Sequence, residues 1–166
     1  MDKLLKRLLL VIVVIISNFA FAKEESFKTI NSSFDKRFVA YSTKDVQSNI
    51  ILDKQSNLLW QDQLTVTKRE LYHDTAKIYC PNLNLSSLNH WRVPTYGELL
   101  SLIDYQKSEP ATSAPFMHQS IGDFWTSTVF TKDQKYYWYV DFLYGYTSVA
   151  PVGKPLLLRC VHDVIE

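Results

Sequence analysis

The chain has 166 residues, 18 Lys and Arg against 17 Asp and Glu, 46% hydrophobic and 14% aromatic residues, and two cysteines. A balance this close to neutral argues against nucleic acid as a partner, because phosphates reward clustered Lys and Arg. The length suits one domain with a real core.

Residues 1–22 read as a secretory signal. Lys3, Lys6 and Arg7 form a basic start, Leu8 to Ile16 an unbroken apolar run, and Ala20-Phe21-Ala22 a small-residue cleavage site. The rival reading is an uncleaved anchor, but a spanning helix needs about 20 apolar residues and Ser17 and Asn18 interrupt this run. Cleavage before Lys23 leaves no transmembrane segment and places the protein in the periplasm, at the cell surface or outside the cell. Removing Lys3, Lys6, Arg7 and Asp2 leaves 15 basic against 16 acidic side chains.

Residues 23–48 are polar, mixed in charge and without a sustained period, a leader expected to pack partly on the domain that follows. The domain is expected over 49–163. Ile50-Ile51-Leu52 leads into the polar turn Asp53 to Asn57 and on to Leu58-Leu59-Trp60, a hairpin with Asn57 able to take the left-handed conformation. From Lys68 to Cys80 the apolar positions Leu71, Tyr72, Ala76, Tyr79 and Cys80 recur at three-to-four spacing, predicting a helix that ends before Pro81.

An Asn/Ser-rich link then delivers the chain to His90-Trp91-Arg92-Val93-Pro94-Thr95. Thr95 with Glu98 three residues on is a capping box, and Pro94 keeps the preceding residue extended. The spacing predicts a second helix from Tyr96 to Lys107, followed by a long surface loop over Ser108 to Gln119.

After Gly122 the period changes. Phe124 to Phe130 and Tyr136 to Leu143 are β-branched and aromatic runs and read as strands. In the second, Tyr136, Trp138, Val140 and Phe142 share one face while Tyr137, Tyr139, Asp141 and Leu143 share the other. Gly145 permits a tight turn, Tyr146 to Ala150 returns, and Leu156 to His162 closes the sheet. The expected fold is α+β, two helices followed by an antiparallel β-meander.

Cys80 and Cys160 in an oxidising compartment point to one disulfide, with two separate buried thiols as the alternative. His73, His90, His118 and His162 are scattered, and no pair has the close helical spacing of a zinc site. Asp123, Asp133 and Asp141 could converge on calcium across the sheet, although no close-spaced Asp/Asn loop is present. Ser127 lacks the glycine-flanked elbow that exposes a reactive hydroxyl, so an enzyme is the minority reading and no catalytic residue is assigned.

These segments, in this order, resemble the Lcl C-terminal domain family, named for the last domain of a bacterial collagen-like surface adhesin. The residues that carry the resemblance are Asp53 through Trp60 with Asp62, Ala76 to Cys80, Trp91 to Thr95 with Glu98-Leu99, Phe124 to Thr128, Trp138 to Phe142 with Gly145, and Leu158 to Val161. The resemblance implies a fold related to C-type-lectin-like and sulfatase-modifying-factor domains, a bridge between Cys80 and Cys160, and no defined catalytic residues. Asn57 stands where the family commonly has glycine and Val93 where it has leucine. No collagen-like repeat precedes the domain, so a trimeric stalk does not carry over.

Trp60, Trp91, Arg92, Pro94, Thr95, Glu98, Trp125, Trp138, Asp141 and Arg159 are read as scaffold, with Arg92 expected to pair with Glu98 or Asp141. The binding candidates are Tyr137, Tyr139, Tyr144 and Tyr146, whose rings and hydroxyls suit sugar faces or protein partners, with Lys132 and Lys135 beside them to meet an anionic glycan. The alternative for Tyr137 and Tyr139 is a second core layer. The expected function is a non-catalytic binding module for a glycan or an envelope protein, with a structural subunit of an envelope assembly, including a homo-oligomer, as the other possibility.

Overall fold

The computed structural model describes residues 37–41 and 49–164. The signal segment and most of the leader lie outside them. Phe38–Ala40 of the leader forms strand β1, which pairs antiparallel with β2 (Ile50–Asp53). Strand β2 turns into β3 (Leu58–Gln61) in the expected hairpin, with Asn57 at φ 57°. The Asp53 carboxylate organises that turn. It accepts from Gln55 N at 3.0 Å and Ser56 Oγ at 2.8 Å, and it receives Arg37 through two bonds at 2.9 and 2.7 Å.

The helix expected from Lys68 to Cys80 is instead a broken element. Helix α1 (Thr65–Lys68) is followed by the two-residue strand β4 (Glu70–Leu71), and α2 (His73–Tyr79) begins after the extended Tyr72. Leu71 explains the break. Its backbone pairs with Leu156 and its carbonyl accepts the Trp125 indole N–H at 2.8 Å, so sheet pairing overrides the helical period there.

Helix α3 (Tyr96–Leu100) starts at Thr95 in a complete capping box but stops well short of Lys107. Leu102 is buried, its carbonyl accepts from the Thr112 hydroxyl, and Ile103 bridges to Thr112. The stretch expected to be a surface loop is therefore docked. Ala111, Thr112, Ala114 and Phe116 are buried, and Glu109 N and Ala111 N bond to the carbonyls of Leu143 and Phe142.

Strands β5 (Asp123–Val129), β6 (Tyr136–Asp141) and β7 (Thr147–Pro151) form the expected meander. The last segment does not close one sheet. It divides into β8 (Leu156–Leu157), parallel to β5 at Phe124, and β9 (Val161–Asp163), antiparallel to β3. Among the described residues the result is a four-stranded sheet β1-β2-β3-β9 and a five-stranded sheet β4-β8-β5-β6-β7, so the fold is α+β with strands both before and after three short helices.

Between β8 and β9 lie Leu158, Arg159 and Cys160, all buried, which tie the sheets together. Cys160 bridges to Cys80 at the end of α2 with an S–S distance of 2.03 Å. Their separation of 80 residues corresponds to about 4–5 kcal/mol in the chain-entropy model. Both faces of the five-stranded sheet are covered. Phe124, Val140 and Leu157 pack with Leu99, Leu102 and Trp60, while Trp125, Tyr139, Ala150 and Leu156 pack with Ala76, Cys80 and Trp91.

Candidate functional site

Arg92 reaches Glu98 through two bonds at 2.8 and 2.7 Å and Asp163 through two more at 2.7 and 2.6 Å. Asp141 is not its partner, because that carboxylate caps the following turn by accepting from Tyr144 N at 2.7 Å. Burial pushes the Glu98 carboxyl up, but hydrogen bonds from Arg92 and Thr95 outweigh it and hold Glu98 below its usual value. The Arg92 bond is the main cause that holds Asp163 low as well. Trp91 and Trp125 spend their indole N–H groups on the carbonyls of Leu88 and Leu71, Trp60 is fully buried, and Trp138 packs on Tyr96 and Phe130. Pro94 offers its carbonyl to Ser127 N at 2.7 Å.

Arg159 is the second buried hub. It donates to Gln61 O and His118 O, lies 3.5 Å from Asp62, and stacks over the Phe116 ring at 3.6 Å. Burial pulls its pKa down to about 10, against the restoring attraction of Asp62.

Tyr137 and Tyr139 do not point outward. Tyr139 is 8% exposed, with Lys154 Nζ above its ring at 5.3 Å. Tyr137 stacks on His73 with ring centroids 3.5 Å apart, and its hydroxyl accepts from Lys77 Nζ at 2.9 Å. The physical reason is coverage of the second face of β6 by α2 and by the 152–155 crossover. The core-layer alternative describes both residues.

Tyr144 and Tyr146 are exposed at 58% and 51%. They lie at the end of β6 where Asp123 and Asp141 face each other across the β5–β6 pair. Asp123, first, and then burial and Asp141 push the Tyr146 phenol above its usual pKa. Asp123 also meets Lys154 Nζ at 3.2 Å. That ion pair lines an open groove of about 480 Å³ together with Glu70, the exposed Ile121 and Pro155. Tyr105, 73% exposed, stands near Gly145 in the same turn region. A carboxylate and an amine thus border the groove, and the exposed rings of Tyr144 and Tyr146 lie on the turn that follows β6 at the same end of the sheet.

Lys132 and Lys135 are exposed on the β5–β6 turn, at the opposite end of β6. Six strand residues separate them from the Tyr144–Tyr146 turn, about 20 Å, so the two groups expected together are apart. Asp133 sits in the lysine turn and accepts from Lys135 N at 3.0 Å, so the three aspartates do not converge. Among the described residues no group of three or more His, Cys, Asp or Glu is placed to hold a metal. Sequence reading missed Ile121 and Lys154, which carry no pattern of their own and come to line one groove only through the fold.

The fold is that of a disulfide-pinned α+β domain. Within that class the chain belongs to the Lcl C-terminal domain family, whose model matches residues 49–162. No curated protein and no solved structure matches the chain. Among the described residues no helix is long and apolar enough to cross a membrane.

Proposed function

We propose that the chain is an exported, non-catalytic binding module of the adhesion type that holds a glycan against the Tyr144–Tyr146 end of its five-stranded sheet. The observation that carries this reading is the pair of exposed tyrosines on the turn after β6, at the end of the sheet where the Asp123–Lys154 ion pair lines an open groove. Membership of the Lcl C-terminal domain family favours a surface-binding role, and the disulfide favours an oxidising compartment, the periplasm or the cell surface. A non-catalytic reading is supported by chemistry already engaged elsewhere. The two cysteines are joined, and the Ser127 hydroxyl donates to Pro94 O at 3.2 Å.

A glycan array probed with the disulfide-intact chain, with calcium and again with chelator, tests the reading. Specific retention that falls in Tyr146→Ala and Asp123→Asn while both variants keep their melting temperature is the expected result. Retention unchanged in both variants, or no retention of any glycan, removes it. Loss with chelator alone would add calcium to the site. A second reading, a structural subunit of an envelope assembly, is favoured by the open edge of β7 described next.

A further inference from the structure

Among the described residues strand β7 is the outer strand of the five-stranded sheet and pairs on one side, with β6. Its register is unbroken from Tyr136–Pro151 to Val140–Thr147. Bonds at the two ends fix which backbone groups face inward: Asp141 N donates to Tyr146 O at 2.9 Å and Val152 N donates to Lys135 O at 3.0 Å. Hydrogen-bonded pairs alternate along an antiparallel ladder, so between those ends Ser148 and Ala150 bond to Tyr139 and Tyr137. Thr147, Val149 and Pro151 therefore aim their main-chain groups away from the sheet. Among the described residues no hydrogen bond reaches the outward N–H or C=O of Thr147 or Val149, while the Thr147 hydroxyl meets the Tyr96 hydroxyl at 3.3 Å.

Edges of this kind are ordinarily blunted by charge, a bulge or a covering segment. From Thr147 to Val152 there is no charged residue, and β6 and β7 pair without a bulge. Among the described residues the guard is Pro151, which removes a donor at one end and whose carbonyl already accepts Lys154 N at 2.9 Å, so the open stretch is Thr147 to Val149. The half-buried side chains of Thr147 and Val149 share a face with Trp138 and Tyr96, an apolar layer that a further strand would extend.

We propose that the β7 edge receives an extended peptide of a partner protein as an added antiparallel strand, with acidic residues at the peptide's N-terminal end. The residue opposite Val149 exchanges both main-chain bonds with it, and the residue opposite Thr147 does the same. Charge sets the direction. An antiparallel strand brings its N-terminus to the Pro151 end, where the β5–β6 turn presents Lys132 and Lys135, both exposed and without an ion-pair partner among the described residues. This interaction is independent of the glycan reading, since the groove lies at the other end of β6.

The probe is a fluorescent peptide of two aspartates followed by alternating threonine and valine. Binding to the disulfide-intact chain is followed by anisotropy, and exchange of individual backbone amides by NMR. The free chain should show fast exchange at Thr147 and Val149 and slow exchange at Ser148 and Ala150. Saturation with probe should slow the first two by roughly tenfold or more, and replacing the aspartates by lysines should weaken binding by roughly tenfold. Val149→Pro, which removes an outward donor that the fold does not use, should abolish binding with little change in melting temperature. A probe N-methylated at alternate residues tests the same bonds without touching the chain and should fail to bind. Protected Thr147 and Val149 amides in the free chain, binding indifferent to N-methylation, or no binding at about millimolar probe would each overturn the proposal. So would self-association that protects the same amides, which would make a second copy the occupant.

Discussion

Arg159 and Asp62 lie 3.5 Å apart with side chains 0% and 1% exposed, at the junction of the two sheets and the 111–118 segment. Asp62 also accepts the backbone N–H groups of Met117 and His118 at 2.7 and 2.9 Å, so one carboxylate holds an arginine and a loop. Removing either partner leaves the other charge buried and uncompensated, which typically costs about 3–5 kcal/mol. Asp62→Ala and Arg159→Met are expected to lose that much in urea unfolding. The double variant should lose less than the two added together, because neither charge is then stranded. Additive losses would show that the two groups do not act as a pair.

His73 makes stability depend on pH near neutrality. It is fully buried, its Nε2 lies 3.0 Å from Thr126 O, and burial, as the main cause, lowers its pKa below the ordinary 6.5. The Thr126 bond and Asp74 oppose that shift and Lys77 adds to it. With Nε2–H donating to the carbonyl, Nδ1 is left without a partner among the described residues, so a second proton would have no acceptor there. The unfolded chain then binds more protons than the native one just below pH 6.5. Stability contributed by neutral His73 is whole above that pH and falls as pH descends from it toward the lower folded value. Unfolding midpoints from pH 8 to 5 should show this decline, and His73→Gln should flatten it. An equal decline in His73→Gln would assign the effect to other groups.

The ladder of local signals was legible in the sequence where chain neighbours determine the structure. The Asn57 turn, the Thr95–Glu98 box and the β5–β6–β7 meander follow from spacing and turn chemistry, and the disulfide from a count of two cysteines in a chain read as exported. The failures have one cause, pairing with distant residues. Leu71 reads as a helical position until Leu156 and Trp125 claim its backbone. Ile103 reads as the third turn of a helix until Thr112 bridges to it. Alternation along β6 separated two faces correctly but left open whether the second is covered; α2 packs there, with Tyr137 stacked on His73, while Tyr144 and Tyr146 are exposed. Asp163, the second partner of Arg92, lies 71 residues away from it and carries no local mark.

Glu98 and Asp163 both hold Arg92, yet they should not be equal. Glu98 also accepts Thr95 N at 2.7 Å, completing the cap of α3, whereas Asp163 is more than half exposed. A lost helix cap costs about 0.5–2 kcal/mol and a solvent-screened ion pair about 0–1 kcal/mol. Glu98→Ala is therefore expected to destabilise by about 2 kcal/mol and Asp163→Ala by less than about 1 kcal/mol, read from thermal or urea unfolding. In strong salt the Asp163→Ala difference should shrink while most of the Glu98→Ala loss persists. Equal losses for the two would mean that Arg92, and not the cap, accounts for both.

Gly145 connects the fold to the proposed site. At φ 80° it occupies backbone space that side chains rarely enter, and an added Cβ would stand 2.8 Å from Ile103 Cγ2 and 3.3 Å from Ala111 Cβ. The turn it closes carries Tyr144 and Tyr146, and Gly145 N donates to Asp141 O at 3.0 Å. Gly145→Ala combines left-handed strain with a clash against the docked loop, so a loss of about 2–3 kcal/mol is expected. The useful comparison is with Tyr146→Ala, which removes an exposed ring and should change stability by less than about 0.5 kcal/mol. If the tyrosine turn is the binding surface, Gly145→Ala should also weaken glycan retention at temperatures where the variant is still folded, because both rings are displaced together. A folded Gly145→Ala variant with full retention would move the ligand away from this turn.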